Sequence, residues 1–108
     1  MNTKQKGDIA EKQAISFLES NGYEIVDTNF YTKFGEIDII AKKNGVLHFI
    51  EAKSGENFES IYNVTYQKLQ RILKSIHVYL KSDNISYQID VITIDVHGLN
   101  FIQNVTMF

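Results

Sequence analysis

An Asn-Gly pair at residues 44–45, flanked by two apolar runs, is the feature that most constrains the fold. Asn-Gly is the preferred centre of a two-residue turn between antiparallel strands. The flanking runs, Glu36–Ala41 and Val46–Lys53, are therefore predicted to pair as a β-hairpin. Reflection about the turn places Asp38 opposite Glu51. The Cβ atoms of such a pair lie roughly 5 Å apart, so two carboxylates are predicted to face each other.

These carboxylates stand in strands that are otherwise apolar, where unpaired charge is costly. Glu51 shares its strand face with Lys53, and Asp38 shares its face with Glu36, because side chains alternate with period two. A divalent cation such as Mg²⁺ or Mn²⁺ would relieve the repulsion, since hard cations prefer carboxylate oxygens and water. The alternative is a structural ion pair in which Lys53 bridges both carboxylates. Spacing alone leaves the two interpretations open.

The rest of the chain predicts an α/β domain with the element order αβββαββ. A helical stripe of apolar residues runs from Asp8 to about Asn21, and a long helix is predicted from Ile61 to Leu80. Further strands are predicted at Tyr23–Phe30, Tyr87–Asp95 and Leu99–Val105. We expect one domain over residues 1–108, with a mixed central sheet flanked by helices.

The composition indicates the cellular compartment expected for the protein. The chain contains no cysteine, which excludes disulfides and thiolate metal sites. No run approaches the roughly 18 apolar residues that a membrane span needs. Residues 1–8 are polar and lack the apolar core of a signal peptide. We therefore expect a cytoplasmic protein with no membrane partner.

Basic residues are concentrated in one segment of the chain. The net charge of −2 argues against a generic nucleic-acid binder, but residues 60–82 contain four basic residues and no acidic one. Lys68, Arg71 and Lys74 recur every three positions and so follow one side of the second helix. Such a row is commonly just a solvated face, but the absence of acids favours contact with phosphates. With so few charges, strong salt dependence or a homodimer is expected.

Other residues near these segments have less specific interpretations. The histidines are scattered, and His48 lies on the strand face opposite Glu51. His48 is expected to be a core or sheet-surface residue and not a ligand. Tyr62, Tyr66 and Tyr79 accompany the basic row and could stack on bases. Core packing is expected for at least one of these three tyrosines.

The spacing of Asp38, Glu51 and Lys53, D-x(12)-E-x-K after a helix, is similar to the signature of the PD-(D/E)xK nuclease superfamily. Nearly the whole chain resembles the YraN-like family of small bacterial proteins, which is related to archaeal Holliday-junction resolvases. The segments that carry the resemblance are GDIAEKQAISFLESNGYEI, NFYTKFGEIDIIAKKNGVLHFIEAK, VTYQKLQRILKSIHVYL, YQIDVITI and FIQNVTMF. The departures are Ile37 for a frequent proline, Ala52 for a bulkier apolar residue, and Gln88 for the usual arginine.

The resemblance implies a restriction-endonuclease-like αβββαβ core and a metal-dependent endonuclease. Asp38 and Glu51 would be metal ligands, Lys53 the catalytic lysine, and Glu11 a ligand that reaches the metal from the first helix. Glu36 could support the ligands or hold the backbone of the preceding turn. The reaction would be Mg²⁺- or Mn²⁺-assisted hydrolysis of phosphodiester bonds in DNA, branched or damaged DNA included. The alternatives are a nucleic-acid-binding module without turnover and a structural or interaction domain.

Overall fold

The computed structural model describes residues 3–82 and 84–105, so the parts of the predicted domain at residues 1, 2, 83 and 106–108 lie outside it. The described chain forms a five-stranded sheet in the order β1-β2-β3-β4-β5. The elements are α1 (Thr3–Ser20), β1 (Glu24–Thr32), β2 (Gly35–Lys43), β3 (Val46–Ser54), α2 (Phe58–Ile61), α3 (Tyr66–Tyr79), β4 (Tyr87–Asp95) and β5 (Gly98–Ile102). This confirms the predicted α/β class, with a mixed sheet and an order consistent with the αβββαβ core.

The sheet is mixed because β3 and β4 pair in parallel, whereas the other neighbouring strands are antiparallel. A parallel pair needs a long crossover connection, and α2 and α3 lie in it. Helix α1 packs on Ile39 and Ile50, while α3 packs on Ile40 and Phe49. Adjacent strand residues point to opposite faces, so the two helices cover opposite sides of the sheet.

The β2–β3 hairpin has the register that its turn predicts. Lys43 pairs with Val46, and the ladder continues to Ile39 opposite Ile50. The turn residues 44–45 have φ values of 52° and 78°, as a tight turn of this kind requires. Within the described residues the β2–β3 ladder ends at Ile39 and Ile50. Beyond that point β2 continues beside β1, and β3 continues beside β4.

The second predicted helix is wrong in its extent. Helix α3 begins at Tyr66 and not at Ile61, and Phe58–Ile61 forms a separate helical turn. Thr65 caps α3, since its side chain accepts a hydrogen bond from the backbone N–H of Lys68. The apolar residues continue through both pieces, which is why the sequence pattern merges them.

The remaining boundaries show smaller differences. Helix α1 already includes Thr3, ahead of the predicted start at Asp8, and β5 ends at Ile102 and not at Val105. Val105 still keeps a backbone hydrogen bond of 2.7 Å to β4, which explains its strand-like sequence pattern. Strand β4 has its predicted bounds, Tyr87–Asp95.

In the two described stretches, no helix combines the length and the apolar character that crossing a membrane would require. The longest helix, α1, has 18 residues and carries charged side chains along its length.

Candidate functional site

The divergence of β2 and β3 opens a fork in the sheet, and Asp38 lies where the fork begins. The backbone N–H of Ala52 on β3 donates to Asp38 Oδ2 at 2.9 Å, so a side-chain oxygen meets the edge of β3 here. Strand β2 also changes its packing at this point. Ile37 contacts the core under α3, whereas Ile39 contacts the core under α1. Asp38 therefore lies between residues that belong to the two helical layers.

Three carboxylates converge at this position. Glu11 from α1 and Glu36 and Asp38 from β2 each place one oxygen within 4.8 Å of the other two. All three side chains are partly buried. A set of oxygen donors of this kind matches the preference of Mg²⁺ or Mn²⁺. We call Glu11, Glu36 and Asp38 the acidic cluster.

Asn29 joins two members of the acidic cluster. Its Nδ2 donates to Glu11 Oε1 at 3.0 Å and to Glu36 Oε1 at 3.2 Å. It occupies the β1 position opposite Asp38 and has a φ of 52°, a left-handed conformation that asparagine tolerates better than most residues. Asn29 could not be predicted from the sequence, because its partners lie 18 and 7 residues away and no local pattern connects them.

Without a bound cation, the surroundings of Asp38 favour its protonated form. Burial raises the pKa of Asp38 to about 8, with its hydrogen bond to Glu36 and the charge of Glu51 adding to the rise. The N–H of Ala52 opposes the rise in pKa by donating to the carboxylate. The pKa of Glu36 is lowered, chiefly because Glu36 accepts a hydrogen bond from Asp38. A cation would replace this proton as the source of positive charge between the carboxylates.

Glu51 lies across the fork on β3 and forms an ion pair with Lys53. Its Oε1 is 3.6 Å from Lys53 Nζ, and the two side chains are 29% and 38% exposed. Glu51 still acts on Asp38 through its negative charge, as the hairpin register predicts. In the described part of the chain Lys53 forms no ion pair with Asp38, so the predicted bridge between the two carboxylates is present on one side only.

Glu51 and Lys53 line a cleft of about 250 Å³ between the sheet and α3. Lys68 and Arg71 of α3 line the same cleft, and Glu36 connects it to the acidic cluster. The fold therefore brings the predicted catalytic lysine and two of the predicted phosphate-binding residues to one place.

Lys74, the third residue of the basic row, is not part of the cleft lining. Its Nζ lies 5.4 Å from the centre of the Phe34 ring, in a cation–π contact. Phe34 itself lines the cleft, so Lys74 lies behind one end of it.

The three tyrosines near the basic row have different environments. Tyr79 packs edge-to-face on Phe30 at 5.1 Å and belongs to the core, which confirms that at least one of them is a packing residue. Tyr62 stacks on Phe58 at 5.1 Å. Tyr66, at the start of α3, is 58% exposed.

A second site of buried polar residues surrounds Asp90 on β4, which is fully buried. His48 Nδ1 is 2.6 Å from Asp90 Oδ2. The side-chain amide of Gln88 and the backbone N–H of Asn104 each donate to Asp90 Oδ1 at 2.8 Å. His48 is 5% exposed, which confirms its prediction as a core residue.

Comparisons with known proteins place the chain in a family. Residues 10–94 match the family described as "Uncharacterised protein family UPF0102". A UPF0102 protein of Aliarcobacter butzleri (strain RM4018) is 51% identical over 109 residues, covering 97% of this chain and 99% of the relative. The UPF0102 protein WS0451 of Wolinella succinogenes is 50% identical over 107 residues, with the same coverage. A UPF0102 protein of Campylobacter fetus subsp. fetus (strain 82-40) is 52% identical over 99 residues, 89% of this chain and 88% of the relative. The chain therefore belongs to the uncharacterised protein family UPF0102, the YraN-like family that its sequence resembles.

Proposed function

We propose that this protein is a metal-dependent endonuclease that hydrolyses phosphodiester bonds in DNA, with branched or damaged DNA among its substrates. The observation that supports this proposal most is the shared cleft. It combines Lys53, an edge of the acidic cluster, and two basic residues of α3. Hydrolysis of a phosphodiester needs stabilisation of charge at the phosphate and a reactive water, and residues of these types can provide both.

The metal ligands in this proposal are Asp38, Glu11 and Glu51, with Glu36 beside them. The residues fit a hard cation, because the acidic cluster contributes oxygen donors alone and already needs a proton at Asp38 to offset its negative charge. A bound Mg²⁺ or Mn²⁺ would supply a Lewis acid and would lower the pKa of a coordinated water. Asn29 holds the carboxylates of Glu11 and Glu36 in position by donating to both.

Lys53 would act on the phosphate or on the attacking water. Its ammonium can donate to a phosphoryl oxygen as negative charge develops there, and Glu51 at 3.6 Å orients it. Lys68 and Arg71 would neutralise neighbouring phosphates. Lys68 Nζ donates to the carbonyl of Asn63 at 3.0 Å, which holds its ammonium at the cleft before any substrate binds.

The decisive experiment is a cleavage assay with Mn²⁺ or Mg²⁺ on linear, flapped and four-way DNA, combined with calorimetric titration of the metal. We expect the wild type to cleave at least one of these substrates. Asp38→Asn and Glu51→Gln should each weaken metal binding and abolish cleavage, because each removes a charged ligand. Lys42→Gln, an exposed substitution near the hairpin turn, is the matched control and should leave both unchanged. Unchanged metal affinity in both carboxylate variants would remove the metal-site hypothesis.

Two other functions are separated by the same measurements. A structural domain is favoured by the contacts that the site makes without metal, the Asn29 bridge and the Glu51–Lys53 pair. That function predicts no metal binding. A nucleic-acid-binding module predicts metal-dependent DNA binding without cleavage of any substrate. A homodimer would double the basic surface, and sedimentation velocity at assay concentrations tests for it.

A further inference from the structure

A second cavity adjoins the cleft on the other side of Lys53. It has a volume of about 430 Å³ and is lined by residues of α1, β3, α2 and the segment that leads into α3. Lys53 and Lys68 line both spaces. The two spaces therefore have Lys53 and Lys68 as a common border, and we call them together the two-sided groove.

The size of the two-sided groove limits what can enter it. Its halves, about 250 and 430 Å³, have the dimensions of pockets for small molecules or short chain segments. A regular duplex carries two backbones around a major groove about 12 Å wide, so spaces of this size can take in only part of one of its backbones. One strand can follow the groove, with a phosphate between the two lysines and a nucleoside on either side.

Two aromatic side chains lie near one end of the two-sided groove, at or beside the β1–β2 turn. Phe34 lines the cleft and is half-buried. Tyr31 is 72% exposed and pairs across the strands with Glu36 of the acidic cluster. The ammonium groups of Lys33 and Lys74 lie 5.2 and 5.4 Å from the centre of the Phe34 ring. This end of the groove therefore combines one exposed ring, one half-buried ring and positive charge.

Hydrogen bonds hold this turn against α3. The hydroxyl groups of Thr32 and Ser75 are 2.8 Å apart, and Thr32 Oγ1 also accepts from the backbone N–H of Phe34 at 3.0 Å. Ser75 is 2% exposed, so the link to α3 is protected from water. Phe34 thus has a defined position before a ligand arrives, which reduces the entropy lost on binding.

We propose that the two-sided groove binds single-stranded DNA, laid across Lys53 and Lys68, with a base stacked on the aromatic residues Tyr31 and Phe34. The proposal rests on the proposed function, which supplies the reason for a phosphate at the centre of the groove. A basic groove with aromatic platforms is the general arrangement by which proteins hold single strands without reading their sequence. The preferred substrate is then an unpaired segment of DNA, and regular duplex is the poorer one.

The first test uses binding in Ca²⁺, so that cleavage does not interfere. The chain has no tryptophan, so Phe34→Trp provides a single fluorescent reporter at the groove. Titration with a 12-nucleotide oligothymidine should quench this tryptophan, and the strand should bind at least about tenfold more tightly than a blunt duplex. Val78→Trp, at an exposed position in the last turn of α3, is the matched control and should show no quenching.

The second test separates base stacking from contact with the backbone. Tyr31→Ala combined with Phe34→Ala should weaken binding of the oligothymidine by roughly 5- to 100-fold. Affinity for an abasic strand of equal length should be unchanged, because that strand has no base to stack. If the double variant unfolds, Tyr31→Leu with Phe34→Leu keeps apolar bulk and should lose the same discrimination.

The outcomes distinguish this inference from the function on which it rests. If duplex is bound and cut as well as single strands, and the aromatic variants change neither, then the inference is wrong and the nuclease proposal stands. If the protein binds neither form of DNA with any divalent cation, both proposals fail. Quenching of Val78→Trp as strong as that of Phe34→Trp would also contradict the assigned groove.

Discussion

The fully buried carboxylate of Asp90 on β4 and the partly buried carboxylate of Asp38 on β2 have opposite surroundings. Asp90 is enclosed by groups that complement it: the ring of His48, the amide of Gln88 and a backbone N–H. Asp38 accepts one backbone hydrogen bond, from Ala52, and burial raises its pKa to about 8, with the neighbouring carboxylates of Glu36 and Glu51 adding to the rise. The same side chain is thus placed once among donors and once among acceptors.

The difference indicates what each site contributes to the protein. A buried carboxylate with its donors in place stabilises the fold, and removing it leaves those donors without a partner. A carboxylate placed beside other carboxylates reduces stability, and such placement is typical of functional sites, where a ligand supplies the missing charge. We therefore expect substitutions at the two aspartates to have opposite effects.

The largest effect on stability is expected at Asp90. Asp90→Ala should reduce the free energy of unfolding by about 3 to 5 kcal/mol, because it leaves the buried ring of His48 and two further donors, the amide of Gln88 and the N–H of Asn104, without an acceptor. Urea unfolding measures this loss, and metal titration of the folded fraction should show unchanged affinity. A loss of unfolding free energy below about 1 kcal/mol would mean that Asp90 does not stabilise the fold in the way that its donors indicate.

The largest effect on chemistry is expected at Lys53. If it stabilises charge at the phosphate, Lys53→Ala should lower single-turnover cleavage in Mg²⁺ or Mn²⁺ by roughly 100-fold or more. Binding of an intact duplex in Ca²⁺ should remain close to that of the wild type, since this interaction acts in the transition state, whereas the single strand that the two-sided groove lays across Lys53 should bind more weakly. Lys53→Arg, which keeps the charge, should recover part of the rate.

The same variant also tests the structural alternative. If Lys53 serves only to neutralise Glu51, its removal should destabilise the metal-free protein by no more than about 1 kcal/mol, because both side chains are partly exposed. Urea unfolding in EDTA gives this value. A loss of that size, with no cleavage by the wild type on any DNA, would favour a structural role for the whole site.

The protonation of Asp38 should make the stability of the metal-free protein fall as pH rises. The pKa of Asp38 is raised from 3.8 to about 8 in the folded protein, so between these values the unfolded chain is deprotonated while the folded site holds a proton. The stability contributed by this group is therefore present at low pH and is lost as pH rises towards 8. Asp38→Asn keeps the shape without the charge and should be more stable than the metal-free wild type by about 1 to 3 kcal/mol at pH 8.

The gain should shrink as pH falls towards 5, where Asp38 is neutral in the folded wild type as well. Thermal or urea unfolding in EDTA at several pH values measures it. Saturating Mn²⁺ should reverse the order and make the wild type the more stable protein at pH 8, because the cation binds its folded state. A gain that is independent of pH would contradict the shared proton at the acidic cluster.

The smallest effect concerns the basic residues across the cleft. Lys68→Ala with Arg71→Ala should lower DNA affinity and flatten the slope of log K against log salt concentration by roughly 1 to 2 units. Lys81→Ala, just after α3 and outside the cleft lining, provides the control. An identical slope in the double variant would show that this side of α3 is merely solvated.

Part of the site follows from local sequence. The Asn-Gly turn at residues 44–45 determines the hairpin register, and the register alone indicates that Asp38 and Glu51 lie near each other. The spacing of Lys68 and Arg71 likewise predicts that both lie on one side of α3, where both line the cleft. These inferences succeed because turns and helices are set by interactions between residues a few positions apart.

The break before α3 was not predictable from periodicity, although it has a local cause. The apolar stripe continues across residues 62–65, and the cap at Thr65 acts through one hydrogen bond to the backbone of Lys68. Such a capping bond outweighs a weak preference for continued helix. The break also places the ammonium of Lys68, since it then reaches the carbonyl of Asn63 in that same segment.

The sequence by itself determined the α/β architecture, the hairpin with its charged pair, and the family. The tertiary structure decided which carboxylates meet. Glu36 lies beside Glu11 and Asp38, and Asn29 donates a hydrogen bond to both Glu11 and Glu36. Glu51 instead pairs with Lys53. The tertiary structure also decided that Asp90 is surrounded by donors and Asp38 by acceptors. Local patterns report which face of an element a side chain occupies. Whether its neighbours there are donors, acceptors or charges depends on how α1, β1 and β3 pack around β2, which brings together residues far apart in the chain.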